Sequence, residues 1–372
     1  MVLVMAQSKP AKINHGPYEI RRSPPEPVAV ETHPYIFATS NLVTWTLWFI
    51  YFLTQFSIVY KLHSTSSSTW KIWGILLGEI CLTFQEIVLG MNLLLPLLCQ
   101  KKNRIRQRYY LFGDTAPTVD IFITCCGEPI DVILDTVSAA LSQNYPHEQL
   151  RLFLLDDGHD NKLKVEIDKL NKIVDTKSSP AIHYLARQVE QGSKSYFKAG
   201  NLQFGIKETK RLGGSDLIAS LDADMIPSRD WLRRLVPHLI LDGELALACP
   251  PQCYYNIPDY DPLGQQAEFD VFFSVYEPLN DLVDAATCTG TGYVIRRSAL
   301  EDIGGWPIVE AGEDFMCSTI LSNNGWKVGF VRENLQFGLA PDSLRSYKKQ
   351  RMRWTVALKF INSSVSIYLA QD

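Results

Sequence analysis

Three short stretches, Val119 to Thr124, Leu150 to Leu155 and Leu217 to Leu221, run largely apolar and then stop abruptly in polar groups. The first ends in Thr124-Cys-Cys-Gly-Glu128-Pro, the second in Asp156-Asp157-Gly158 and the third in Asp222-Ala223-Asp224. Their length suits strands, and amphipathic helix-like stretches follow the first two, from Asp131 to about Asn144 and over NKLKVEIDKLNKIVD. That alternation predicts an α/β domain. In open α/β sheets ligands bind beyond the carboxyl ends of the strands. Acids presented there by three strands would repel one another strongly unless a cation neutralises them.

The spacing of the third group is specific. In an extended chain residues i and i+2 point the same way, so Asp222 and Asp224 can aim two hard oxygens at one point. Mg2+ or Mn2+ favours such ligands and takes its others from water and phosphate. Asp is also common in plain turns, but the position directly after the buried-looking LIASL favours ligation. Further along, CTGTGYVIRR (288–297) carries glycines that let backbone approach a ligand, or alternatively a turn before a strand. Gly312-Glu313-Asp314 stands where a helix would begin; acids there suit the helix dipole or serve as a general base. Gln350-Arg351-Met352-Arg353-Trp354 combines a guanidinium suited to phosphate oxygens with an aromatic face suited to a sugar ring. An ordinary basic amphipathic helix would look similar.

Residues 41–60, NLVTWTLWFIYFLTQFSIVY, hold no charged side chain. As a helix they span a hydrocarbon core of roughly 30 Å. A second apolar run, 72–98, carries Glu79 and Glu86 on one helical face, which predicts packing against protein rather than lipid. Lys101, Lys102, Arg104, Arg106 and Arg108 follow it. Positive charge marks the cytoplasmic end of a span, so the expected product is an integral membrane protein with its large polar part facing the cytosol. Residues 1–40, rich in proline, read as a disordered tail, 41–98 as two transmembrane helices, 110–360 as the α/β domain and 361–372 as a C-terminal tail. A net charge of −4 argues against nucleic acid as a partner. The eight cysteines form no CxxC pair, which predicts reduced, mostly buried thiols and no zinc.

Taken in order, the acidic pair, Lys198-Ala-Gly-Asn201, Asp-x-Asp, Glu313-Asp314 and QxxRW resemble the family 2 glycosyltransferases of the cellulose, chitin and hyaluronan synthase group, over about residues 115–360. The resemblance implies a GT-A fold, a Rossmann-like nucleotide-diphospho-sugar transferase, and inversion at the anomeric carbon. It implies that Thr124, Glu128, Asp156 and Asp157 hold the uridine part of a donor, UDP-glucose or a close relative. Lys198 then meets the diphosphate, and Asp222 and Asp224 hold nucleotide and metal. Asp314 is the implied catalytic base. Cys288, Thr289, Gly290 and Thr291 line the implied acceptor site, and Gln350, Arg353 and Trp354 clamp pyrophosphate and acceptor end.

Processive members of that group continue past QxxRW with further spans, whereas this sequence ends at Asp372. Expected acceptors are accordingly a carbohydrate, a lipid or a small lipophilic hydroxyl compound, with a short enzyme, a partner-dependent subunit or a truncated copy as the three explanations. Two rivals stand beside the transferase: an inactive, assembly-only partner of a larger synthase, and a metal-dependent phosphohydrolase using the same acids.

Overall fold

The computed structural model describes residues 12–23, 34–65, 70–92, 106–173, 180–189, 194–258 and 272–353. It divides into two compact units, residues 25–105 and the remainder.

In the smaller unit, α1 (Pro34–Thr65) and α2 (Trp70–Asn92) form a helical hairpin. Val59 and Leu76 are buried, and Phe56 meets Trp73 edge-on. Leu47, Phe49 and Ile50 instead face outward. The hydroxyls of Thr44, Thr46, Thr54 and Ser57 each donate to the carbonyl four residues earlier, so these four are satisfied within the helix. Among the described residues one helical stretch, Leu42–Ser64, is long and apolar enough to cross a membrane, and only 6% of its most apolar window is buried. The second expected span coincides with α2 as far as Asn92, and residues 93–98 lie outside the described residues. Glu79 accepts a hydrogen bond from Tyr51 Oη at 3.3 Å, which fits the expected packing against the first helix.

The larger unit departs from expectation at its N-terminal end. Within the proline-rich stretch expected to be disordered, β1 (Lys12–His15) and β2 (Tyr18–Arg22) form a hairpin, and β2 pairs with β3 (Tyr109–Phe112). Ile20 and Leu111 are fully buried there, a non-local pairing that local composition does not reveal. Residues 1–11 and 24–33 of that stretch lie outside the described residues.

The centre is a sheet built from β4 (Val119–Cys125), β5 (Leu150–Asp156), β6 (Ile182–Leu185), β7 (Leu217–Asp222), β9 (Leu245–Cys249), β11 (Tyr293–Arg296) and β12 (Lys327–Phe330), in the order β12-β9-β11-β7-β4-β5-β6. β4 is parallel to β5 and β7, and β5 to β6, while β11 runs against both neighbours. A small second sheet joins β8 (Met225–Pro227), β10 (Cys253–Tyr254) and β13 (Gln336–Gly338).

Every residue of β4 is buried, as expected of a strand covered on both faces. Its alternating side chains feed two cores. Ile121 and Ile123 pack with Ile133 and Val137 of α3 (Ile130–Leu141) and with Trp231 and Leu235 of a helix over Trp231–Leu241. Phe122 packs on the other side with Phe153, Leu155 and Leu202 of a helix over Phe197–Arg211. The result is helix, sheet, helix. At the start of β4 the fully buried Asp120 accepts bonds from Arg151 Nε at 2.7 Å, Arg297 Nη2 at 2.7 Å and Ser215 Oγ at 2.7 Å. A buried carboxylate is tolerated when paired and hydrogen-bonded in this way. The ladder thereby delivers the ends of β4, β5 and β7 side by side.

Candidate active site

Register places Thr124 opposite Asp222 and Cys125 opposite Asp156, so the three polar strand ends of the sequence reading do adjoin. Thr124 Oγ1 donates to Asp222 Oδ1 at 3.3 Å. Glu128 Oε2 accepts the Cys126 N–H at 2.6 Å and closes the turn after β4.

Asp156 and Asp157 divide their work. Asp156 is buried, and its carboxylate accepts the N–H groups of Gly158 and Asp160 at 2.7 and 2.8 Å and Tyr184 Oη at 2.6 Å. It shapes the loop after β5, and the three bonds account for why an acid is needed. Asp157 makes a two-pronged pair with Arg187 at 2.6 and 2.7 Å. Arg187 also donates to Ser195 Oγ and to the Phe197 carbonyl, fixing the entry to α5, the helix Phe197–Arg211 whose sequence opens with the KAGN stretch; α4 is Asn161–Ile173.

Each KAGN residue then has a physical task. Lys198 Nζ donates to Asp222 Oδ1 at 2.5 Å and to the Gly290 carbonyl at 2.6 Å. Ala199 is buried against the core. A side chain at Gly200 would collide with Arg187 and the Ser195 carbonyl. Asn201 Nδ2 donates to the Leu155 carbonyl at 2.9 Å, pinning the helix to β5. Burial works against the charge of Lys198, but Asp222, Glu313 and Asp314 outweigh it and hold its pKa above the ordinary value.

Asp314 stands in the first turn of the helix Glu313–Asn323, behind the left-handed Gly312. Burial first, and the Glu313 carboxylate second, push it up to about 6, with Lys198 pulling the other way. Desolvation and the neighbouring Asp222 likewise push Asp224 up to about 6. Charges from β7, its following turn, α5 and this helix therefore meet at one place.

The stretch Cys288–Gly292 lies between them. Cys288, Thr289 and Thr291 are buried. Thr291 Oγ1 accepts the Asp222 N–H at 2.9 Å, Thr289 Oγ1 donates to the Thr291 carbonyl at 3.1 Å, and Ser318 Oγ accepts the Cys288 N–H at 2.6 Å. These side chains hold the segment's shape, so of the four expected acceptor-lining residues Gly290 is the one whose backbone meets Lys198. Gln350 and Arg353 belong to the helical stretch 344–353, with Arg353 exposed. Among the described residues no hydrogen bond or ion pair joins either to the carboxylates. Trp354 lies outside the described residues.

Sequence reading missed Arg187, Tyr184 and Gln336. Gln336 Nε2 donates to the Thr291 carbonyl at 3.1 Å. An isolated Arg, Tyr or Gln carries no local signal, since each acts on a partner far along the chain.

Among the described residues no three His, Cys, Asp or Glu side chains gather closely enough to hold a metal by themselves. Asp222 and Asp224 supply two hard carboxylates that already repel. That donor set suits Mg2+ or Mn2+ sharing its remaining positions with water and a diphosphate, the usual habit of these ions.

Residues 217–370 match the family described as glycosyl transferase family group 2. The chain is 30% identical over 246 residues to the cellulose synthase 1 catalytic subunit (UDP-forming) of Komagataeibacter xylinus, covering 65% of this chain and 31% of that protein. It is 29% identical over 244 residues to the cellulose synthase catalytic subunit of Xanthomonas axonopodis pv. citri, covering 64% and 31%. The chain thus spans about a third of the length of these curated relatives. Among solved structures, the mannosyltransferase of Pyrobaculum calidifontis in complex with GDP-Man and Mn2+ aligns with a TM-score of 0.53 at 19% identity, covering 75% of this chain and 73% of that one. That likeness gives the fold as GT-A.

Proposed function

We propose, from its similarity to the cellulose-synthase-like family 2 glycosyltransferases, that the chain transfers a hexose from a UDP-sugar to a hydroxyl acceptor, with inversion at the anomeric carbon. UDP-glucose or a close relative is the donor, and a carbohydrate, lipid or lipophilic alcohol the acceptor. The observation that carries this reading is the meeting of Lys198, Asp222, Gly290 and the charge of Asp314 from four separated segments.

Asp314 takes the proton from the acceptor hydroxyl as that oxygen bonds to the anomeric carbon. The bond from that carbon to the β-phosphate oxygen breaks, and UDP leaves with the electron pair. A base must be ionised at working pH and not much weaker than the task requires; a carboxyl near 6 meets both conditions. Lys198 donates to the departing diphosphate, and preorganised charge of this kind lowers the barrier. Asp157, held by Arg187, and Thr124 and Glu128 bind the uridine end. Asp222 and Asp224 would hold Mg2+ or Mn2+, which when bound offsets charge on the leaving group. Arg353 and Trp354 belong to this proposal as the pyrophosphate and acceptor clamp on the family resemblance alone.

The same reading makes the chain an integral membrane protein with a cytosolic catalytic domain. Its support is the outward-facing apolar helix and the basic run that follows the hairpin.

The test is UDP release and a mass-spectrometric product search after supplying UDP-sugars and Mn2+ to membranes containing the chain. UDP release coupled to a glycosylated product supports the proposal. Donor binding without UDP release across a broad acceptor panel would identify an assembly-only partner. Phosphate release without sugar transfer would identify a hydrolase.

A further inference from the structure

The Lys198 ammonium holds an oxygen of the carboxylate that the reading above gives to a divalent cation. It covers Asp222 Oδ1, the oxygen that Thr124 Oγ1 also contacts, and holds the Gly290 carbonyl at the same time. It cannot withdraw with its helix: Ala199 and Leu202 are buried in the core and Asn201 is tied to β5. Only the side chain can turn aside, and it then needs another anion. A cation approaching alone would meet the ammonium as a like charge at close range, and such repulsion is strong near protein. A diphosphate changes the balance, because its oxygens accept charge-assisted hydrogen bonds from the ammonium that Asp222 gives up.

We infer that Lys198 is the resident counter-ion of Asp222, and that a divalent cation gains this carboxylate only together with a nucleotide diphosphate that takes over the ammonium. Cation and nucleotide therefore bind as a unit, and neither binds tightly alone. The device keeps the acid edge neutralised between turnovers. The inference rests on the UDP-sugar reading.

The experiment is Mn2+ uptake by the purified full chain in detergent, read from the loss of the free Mn2+ EPR signal, with and without UDP. The wild type should bind Mn2+ weakly alone, and UDP should raise that affinity on the order of tenfold or more, within the usual range of coupling between sites. Linkage requires Mn2+ to raise the affinity for UDP by the same factor, which calorimetry checks independently. Lys198→Met should bind Mn2+ about tenfold more tightly without nucleotide and lose most of the enhancement by UDP. Lys198→Gln, also neutral, serves if the first variant has a lowered Tm. Equal Mn2+ affinity in the wild type with and without UDP overturns the inference, as does unchanged or weakened nucleotide-free uptake in both variants. UDP binding that persists in those cases leaves the transferase reading standing; failure of the wild type to bind UDP with Mn2+ present overturns both.

Discussion

Gly290 and Asp314 approach so closely that a methyl group built on the glycine would lie 2.7 Å from Asp314 Oδ2. Gly290 also holds φ at 84°, in the left-handed region. Both facts select glycine. Gly290→Ala should displace the carboxylate of the proposed base and lower kcat on the order of 100-fold, the usual penalty for misplacing a reacting group by about 1 Å. UDP affinity should change far less. Single-turnover UDP release, compared with equilibrium UDP binding, checks this split.

The pH profile follows from Asp314, whose raised value, about 6, comes from burial first and Glu313 second. The proton must be absent for the base to work, so kcat/KM should rise with pH through a midpoint near 6 and flatten above it. Glu313→Gln removes a raising charge and should move that midpoint down. Asp314→Asn should abolish turnover while leaving UDP bound. Initial rates of UDP release between pH 5 and 8, in roughly half-unit steps, test all three.

Stability should run the opposite way. The native state holds a proton on Asp314 in the window from the ordinary 3.8 up to about 6, where the unfolded chain does not, so stability falls as pH rises through that window. Asp224, raised to about 6 by desolvation and Asp222, adds to the same trend. Asp314→Asn removes the cost of ionising a buried carboxyl and should melt higher than the wild type above pH 6, by roughly 2–4 °C for each kcal/mol regained. Thermal melts at pH 5 and 7 without ligands would show the gap widening at the higher pH.

Arg187 needs the space that Gly200 leaves open. Gly200→Ala should push the guanidinium off Asp157 and raise the donor KM, with a smaller effect on kcat, because the proposed function assigns the pair to the uridine end and not to the reacting carbon. Arg187→Ala should behave alike, and competition with UDP gives the direct measure.

At the far end of β4, Arg297→Met should cost about 3–5 kcal/mol, the usual penalty for stranding one member of a buried ion pair. Asp120 is fully buried and has Arg297 Nη2 at 2.7 Å. A fall in Tm is the readout.

The parts of this site that local pattern encodes were readable beforehand. Strands β4, β5 and β7 begin where their apolar runs begin and close on Cys125, Asp156 and Asp222. Burial on both faces writes a continuous apolar stretch, and a ligand edge writes acids at its end. Roles assigned by resemblance were less legible. Asp156 and Thr291 face inward and bond to backbone, and nothing in their neighbours' identity separates that from facing a ligand. The hairpin over Lys12–Arg22 escaped because its partner strand lies past both helices, and such pairing leaves no trace in a local window.

Strand β11 runs against β7, with Tyr293 opposite Ser220. A strand of reversed direction starts where its neighbours finish, so the chain arriving at β11 and the chain departing from β7 share one rim. The Gly292 N–H donates to the Ser220 carbonyl at 2.7 Å, the first rung after the crossing. The segment before Tyr293 and the turn after Asp222 are thus mounted on adjacent rails of a single frame. Their spacing is set by the ladder and owes nothing to a hinge. Exchanging the short arriving segment would therefore be felt on both rails at once, because its Gly290 carbonyl holds Lys198 and its Thr291 hydroxyl holds the Asp222 N–H.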